Sequence, residues 1–375
     1  MQINGASRSV VSRGMVRTAP RLILLVAACG AAPGCMPELR KPLSIEESRQ
    51  FRAEALEVMR QAVTSNEPVL RMQALEAFQD VAPAEGIPFI TDNIDNGYSG
   101  VSFAALMALG TIRESRGMDK VRILSEDTDA NLRVAALYVL HRMGDQRRTS
   151  ELAEVLMNNP DARVRANAAL AIGRLGEKGS IKVLRTAGQR EKKDAVKMQI
   201  REALAMLGDR HAIEELIFAG YSANPDQATL ALMFLAGART EQAEELFRFR
   251  LNHADQPEIR LQAARGLGLL GNDLGYDVAC AHLYFKSPDR RRPTDPPTQQ
   301  IARVRSLAAL ALEAIGSPDA LGPLLQAFRQ EDQSPTTRLA IARAAVRLIN
   351  RNLDEPRPAG QQAPRPAIRP GLQAG

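Results

Sequence analysis

Tryptophan is absent from these 375 residues, histidine occurs four times, cysteine three times, and aromatic side chains make up only 4% of the chain. Each scarcity excludes something. Among His141, His211, His253 and His282 none is followed by glutamate, and no two stand at a metal-ligand spacing such as H-x-x-x-H. No segment alternates like a strand, so no glycine-rich phosphate loop follows one, and G-x-S-x-G is missing as well. The residues therefore offer no constellation for catalysis, and neither a cofactor nor a metal is expected. Only Cys280 falls inside the patterned region, so an internal disulfide framework is ruled out there. With so few aromatics to stack on bases, nucleic acid is not an expected partner. The pI of 9.4 misleads on this point. Of 49 basic residues, Arg8, Arg13, Arg17 and Arg21 fall within residues 1–35, which hold no acid. The remainder carries a net charge of about +2, too little to imply a polyanionic partner.

What the chain does have is a repeat. Asp129-x-x-Leu132-Arg133, with Gly144 eleven residues past the arginine, returns as Asp161-x-x-Val164-Arg165 with Gly176, 32 residues later. Lys197 precedes Gly208, Ile259-Arg260 precedes Gly271, and Val304-Arg305 precedes Gly316 at the same spacing. Arg71 and Arg338 keep the arginine but carry Ala82 and Ile349 at the glycine slot, and units centred on 103–113 and 230–239 keep only the apolar spacing. Roughly nine units of about 31–33 residues fit between residues 50 and 350, the periodicity of a helical-repeat array.

Each unit reads as two helices. Counted from the arginine, Ala168, Ile172 and Leu175 share one face of a 3.6-residue period, as do Ala263, Leu267 and Leu270, and Ala308, Leu312 and Ile315. Asp129 and Asp161 stand where a short acceptor caps free amides, and the glycine ends the helix in a left-handed conformation. A second apolar run follows, such as Ile181-Lys-Val183-Leu184, and Ser317-Pro318 opens another with a capping residue and a proline. The alanine-rich contact face lets pairs stack into a shared core that no single pair could form. The expected fold is an all-α α-solenoid of about nine helix pairs, with its second helices lining a concave surface.

The stretch from Val164-Arg165 through Ala168-Ala169-Leu170 to Leu175-Gly176 resembles HEAT repeats of the phycobilisome-lyase type. The resemblance covers most of the chain and implies fold more than activity: a right-handed, ARM-type superhelix. It also implies a ladder of capping acids and arginines between neighbouring repeats, which here would draw on Arg71, Asp129, Arg133, Asp161, Arg165, Arg260, Arg305 and Arg338. Gln256, Ile301 and Ser334 fill other acid slots, so an incomplete ladder is expected.

The N-terminus is expected to direct export. Arg13, Arg17 and Arg21 precede the apolar run Leu22–Ala28, and small residues follow up to Cys35, the layout of a signal peptide over 1–35. That run is too short to span a bilayer as a mature helix. Val26-Ala27-Ala28-Cys29 resembles a bacterial lipoprotein signal, while cleavage before Cys35 leaves a signal of more ordinary length. Cys35 is the preferred lipidation site, Cys29 the other candidate, and an ordinary secretory signal the remaining reading. Residues 36–49 read as a linker. A Pro/Arg-rich insertion at 286–298 carries Arg290, Arg291 and Arg292, which either contact an anionic partner or stay solvated. Residues 351–375 read as a proline-rich tail.

From these features the expected function is a non-catalytic scaffold or adaptor on the periplasmic side of a bacterial membrane, lipid-anchored and bound to an envelope protein. The alternative is an enzyme or enzyme accessory akin to bilin lyases or deoxyhypusine-hydroxylase-like HEAT proteins. The missing His-Glu motifs weigh against it.

Overall fold

A computed structural model describes residues 42–286 and 296–354. Cys29, Cys35, Arg290, Arg291, Arg292 and the tail from residue 355 lie outside the described residues. Within them are eighteen α-helices and no strand, an all-α HEAT-type solenoid of nine pairs. Nine helices carry the arginine frame: α2 (Pro68–Val81), α4 (Ser99–Ile112), α6 (Ala130–Arg142), α8 (Ala162–Leu175), α10 (Asp194–Met206), α12 (Pro225–Ala238), α14 (Pro257–Leu269), α16 (Pro297–Ile315) and α18 (Pro335–Asp354). Nine others alternate with them: α1 (Ile45–Val63), α3 (Pro83–Asp92), α5 (Met118–Leu124), α7 (Ser150–Asn158), α9 (Ile181–Arg190), α11 (Arg210–Gly220), α13 (Glu244–His253), α15 (Tyr276–His282) and α17 (Leu321–Phe328).

The caps sit where the residues put them. Asp129 accepts from the Asn131 amide and Asp161 from the Arg163 amide, each at 2.8 Å. Gly144, Gly176, Gly208, Gly271 and Gly316 all have positive φ. The two units without a recognisable frame keep the same geometry by other means. Arg113 (φ 56°) and Arg239 (φ 51°) occupy their glycine slots, left-handed despite their side chains. Two boundaries differ from expectation. A reciprocal capping box between Ser44 and Glu47 starts α1 at Ile45, inside the expected linker. Pro297 takes the first turn of α16, where no amide donor is needed, so that helix begins inside the expected insertion.

Frame helices pack on one another in unbroken succession from α2 to α18. Small residues permit the approach: a Cβ added at Gly173 would lie 2.8 Å from Ala203 Cα, and one at Gly268 would lie 2.6 Å from the Ile315 amide nitrogen. The other helices form an outer layer, amphipathic and, apart from the 19-residue α1, no longer than 11 residues. This reverses the expectation that second helices line the concave side. Alanine- and glycine-rich frame helices fit the crowded inner side, while outer helices such as α9 keep one polar face in water.

The described helices also close on themselves. α18 packs against both α1 and α2, joining the last pair to the first. Phe51 of α1 meets Phe328 of α17 edge-on at 5.2 Å. Arg52 Nε donates to Asn350 Oδ1 at 2.8 Å, and Asn350 Nδ2 donates to the Val81 carbonyl at 2.9 Å. Arg343 Nη2 reaches Asp80 Oδ2 at 2.8 Å, from α18 to α2. The solenoid is a ring whose inner wall is the nine frame helices.

Candidate functional site

The frame arginines bind backbone. Arg71 donates to the Ser65 carbonyl at 2.6 and 3.0 Å, Arg133 to the Asp127 carbonyl at 2.6 Å, and Arg165 to the Asn159 carbonyl at 2.8 Å. Arg260 donates to the Leu251 carbonyl and Arg305 to the Phe285 carbonyl, each at 3.0 Å. All five thus satisfy carbonyls left over at or just beyond the end of the preceding outer helix. Arg338 instead lies over the Phe328 ring, 5.3 Å from its centroid. The acids act separately: Asp129 takes the Ser99 hydroxyl of the preceding frame helix at 2.5 Å, and Asp161 approaches Arg163 at 3.7 Å. Bonds to the next unit come from Arg165, bidentate to Glu191 at 2.7 and 3.0 Å, and from Arg305, which reaches Asp332 at 3.1 Å. Arg165 holds the Glu191 carboxyl at about 2.

None of the histidines joins a metal-binding group, and no cluster of three or more His, Cys, Asp or Glu suited to a metal occurs among the described residues. His141 is buried between Thr149 Oγ1 at 2.7 Å and Glu177 Oε1 at 3.0 Å, tying α6 to the starts of the next two outer segments. His211 lies exposed on the first turn of α11. His282 sits against Phe285 with its Nδ1 at the Val278 carbonyl, and burial lowers its pKa. Cys280 is half-buried in α15. No described helix is long and apolar enough to cross a membrane.

Two concave sites stand out. The larger, about 310 Å³, is a surface groove between the C-terminal ends of α7 and α9, lined by Asn158, Arg165, Arg190, Glu191, Lys192 and Lys193. Its one carboxylate is already bound to Arg165 and to the Lys192 and Lys193 amides. The smaller, about 200 Å³, opens on the inner wall, where five frame helices converge across the closing seam. We regard the smaller as the stronger candidate because its charged groups come from separate helices and point into one space.

That inner cavity is lined by Arg239, Arg265, Arg343, Arg347 and Arg351 against Asp80 and Glu313, with Leu269 and Leu310 as apolar wall. Arg343 Nε holds Glu313 Oε2 at 2.9 Å while its Nη2 holds Asp80, and Arg347 Nε holds Glu313 Oε1 at 3.3 Å. Both lining acids are thereby engaged. The side chains of Arg239, Arg265 and Arg351 make no hydrogen bond or ion pair among the described residues; Arg351 lies against the C-terminal end of α16 beside Gly316. Burial, and then the charge of Arg343, push the Arg265 pKa down.

Sequence reasoning named none of these residues. They had a signal: Asp80, Gly237, Arg265, Leu269, Leu310, Ala314, Arg343 and Arg347 all stand five or nine positions after the frame arginine slot. Polar residues there face the ring interior, a direction that matters only once the ring closes.

An outer site is aromatic. Phe218, at 83% exposure, and Tyr221 lie one turn apart on and just past α11; Tyr221 meets Phe249 of α13 at 5.4 Å, and Phe249 stacks on His253 at 4.7 Å. Arg250 lies beneath, 5.9 Å from both the Tyr221 and Phe249 centroids, held by the Gly220 and Ser222 carbonyls.

The profile of HEAT repeats matches residues 119–205 and 149–227, and that of the PBS lyase HEAT-like repeat matches residues 304–330. Among solved structures, the complex of CpcE and CpcF of phycocyanin lyase from Nostoc sp. PCC7120 is 16% identical, with a TM-score of 0.38 over 77% of this chain and 98% of that one. Human deoxyhypusine hydroxylase is 17% identical, with a TM-score of 0.33 over 82% of this chain and 100% of that one. Escherichia coli YibA is 16% identical, with a TM-score of 0.33 over 74% of this chain and 95% of that one. Among curated proteins, none matches the sequence. These likenesses concern the repeat fold and transfer no activity.

Proposed function

We propose that the chain is a non-catalytic protein-interaction module of the bacterial cell envelope. It is exported, tethered by a lipid on Cys35 or alternatively Cys29, and presents its outer helices to a protein partner. The observation that carries this reading is the aromatic cluster on α11 and α13. In a chain with ten phenylalanines and five tyrosines, Phe218, Tyr221 and Phe249 are together at one exposed place. Leaving such rings in water forfeits apolar burial, and aromatic anchors flanked by arginine are typical of the centres of protein interfaces. The partner that fits is a protein offering an apolar helix face or loop to these rings.

The test is photo-crosslinking in cells from a crosslinkable residue at position 218, with mass spectrometry of the captured protein and of the mature N-terminal peptide. The expected result is one reproducible envelope partner, lost when Phe249→Ser is added, and an acylated N-terminal cysteine. Crosslinks indifferent to Phe249→Ser would remove the aromatic face as the docking site, and an unmodified N-terminus would remove the tether.

A further inference from the structure

The inner cavity is independent of that outer face, and among the described residues its lining holds more positive than negative charge. Five arginines meet Asp80 and Glu313, leaving three positive charges unmatched, or two when Glu76, one turn before Asp80, is counted. Arg343 and Arg347 form a pre-built platform: both are fixed by Glu313, and Arg343 by Asp80 as well. Arg265 projects from the facing helix α14 with no side-chain hydrogen bond or ion pair among the described residues; burial and the charge of Arg343 disfavour its charged form, and Glu313, Glu76 and Asp80 favour it from beyond ion-pair distance. Burial and Arg343 outweigh these acids, so a direct contact with an anion would stabilise the guanidinium.

Arg239 supplies a second, separate observation. It occupies the left-handed slot that glycine fills at Gly144, Gly176, Gly208, Gly271 and Gly316, and it lies at the cavity. A side chain in this conformation is strained relative to glycine. The array uses glycine at this slot in five units, so arginine here works against the stability of the turn while adding a positive charge to the cavity.

We infer that the inner cavity is a binding site for a phosphate-type dianion, gripped by Arg239, Arg265 and Arg351 above the platform of Arg343 and Arg347. Planar guanidinium forks match phosphate oxygens in pairs, and a dianion matches the two to three unmatched charges better than a monocarboxylate does. The anion is either free phosphate or the phosphoryl group of a small phosphate monoester.

The test uses the full-length chain and calorimetric titration with inorganic phosphate, pyrophosphate, glycerol phosphate and citrate, at constant ionic strength in chloride. Saturable binding of phosphate is expected, with Arg265→Gln weakening it by about tenfold or more. Because the Arg265 side chain makes no hydrogen bond or ion pair among the described residues and burial lowers its pKa, that variant should melt no lower than the parent without phosphate. Arg239→Gly should weaken binding severalfold and also fold at least as stably. Arg113→Gly relieves the same backbone conformation away from the cavity and should leave binding unchanged. Tighter binding of inorganic phosphate identifies the free ion, and tighter binding of glycerol phosphate the monoester. Absence of saturable binding to phosphate, pyrophosphate or glycerol phosphate up to about 10 mM overturns the assignment. So does binding of citrate alone, or equal behaviour of Arg239→Gly and Arg113→Gly.

Discussion

The regular junctions between neighbouring frame helices and the seam that joins α18 to α1 and α2 are built from different materials. Regular junctions are close-packed alanine and glycine, as where α8 meets α10 and α14 meets α16, with an arginine tying many units to a backbone carbonyl. Among the described residues the seam has one aromatic contact and a polar network: Phe51 on Phe328, Arg52 with Asn350, Asn350 with the Val81 carbonyl, and Arg343 with Asp80. A junction repeated many times can be met by any neighbouring unit, so it carries no information about which units are first and last. The seam must be specific to its two ends, and directional polar groups supply that specificity at the cost of buried charge.

The largest expected break in this contrast is Phe51→Ala. Phe51 is almost wholly buried, and truncation should cost about 3–5 kcal/mol through lost burial and the cavity left behind. Small-angle scattering should then show a larger radius of gyration, because the ring opens at the seam while the regular junctions hold. A ring that unfolds without first expanding would count against a distinct seam.

Arg343→Leu should come next, at about 2–4 kcal/mol in denaturant unfolding, since it takes from Asp80 its arginine and leaves Glu313 with Arg347 alone. At a regular junction, Gly268→Val is expected to cost about 1–3 kcal/mol, because the added side chain meets the backbone of α16, which has no rotamer to yield. Here the midpoint should fall with no expansion of the ring.

Acid should probe a different pair. The Glu191 carboxyl is held at about 2 by Arg165, below an unfolded value near 4.5. Its contribution is therefore fully present above about pH 4.5 and is lost as pH falls toward 2. Melting temperatures measured across that window should drop less steeply in Arg165→Met than in the parent. Equal slopes would show that the pair does not contribute. The smallest effect is a gain: Arg113→Gly should stabilise by about 1 kcal/mol in equilibrium unfolding, by freeing a side chain from the left-handed region.

Much of this architecture was readable in the residues, and the failures have physical causes. Asp129 and Asp161 cap as their spacing implied, because capping is a local hydrogen bond within three residues. The two units without a frame were found by apolar spacing alone, and their turns form with Arg113 and Arg239 in place of glycine. The arginine ladder was legible as a pattern but not as a set of contacts. Whether Arg165 meets Asp161 or Glu191 depends on where the next unit begins. Inner and outer layers could not be assigned from amphipathicity, since both helices of a pair bury an apolar face. The cavity was invisible for the same reason: Arg265, Arg343 and Arg347 read as ordinary polar positions on separate helices until their helices converge.

The sequence by itself determined the helix pairs, their caps, their number and the small residues through which they stack, because each depends on groups a few residues apart. Only the tertiary structure decided that the array closes, which layer lies inside and which arginines share a space. Closure is the sum of small rotations at every junction along the array, each set by the packing of several side chains. No single unit carries that sum, and so no local pattern in the sequence displays it.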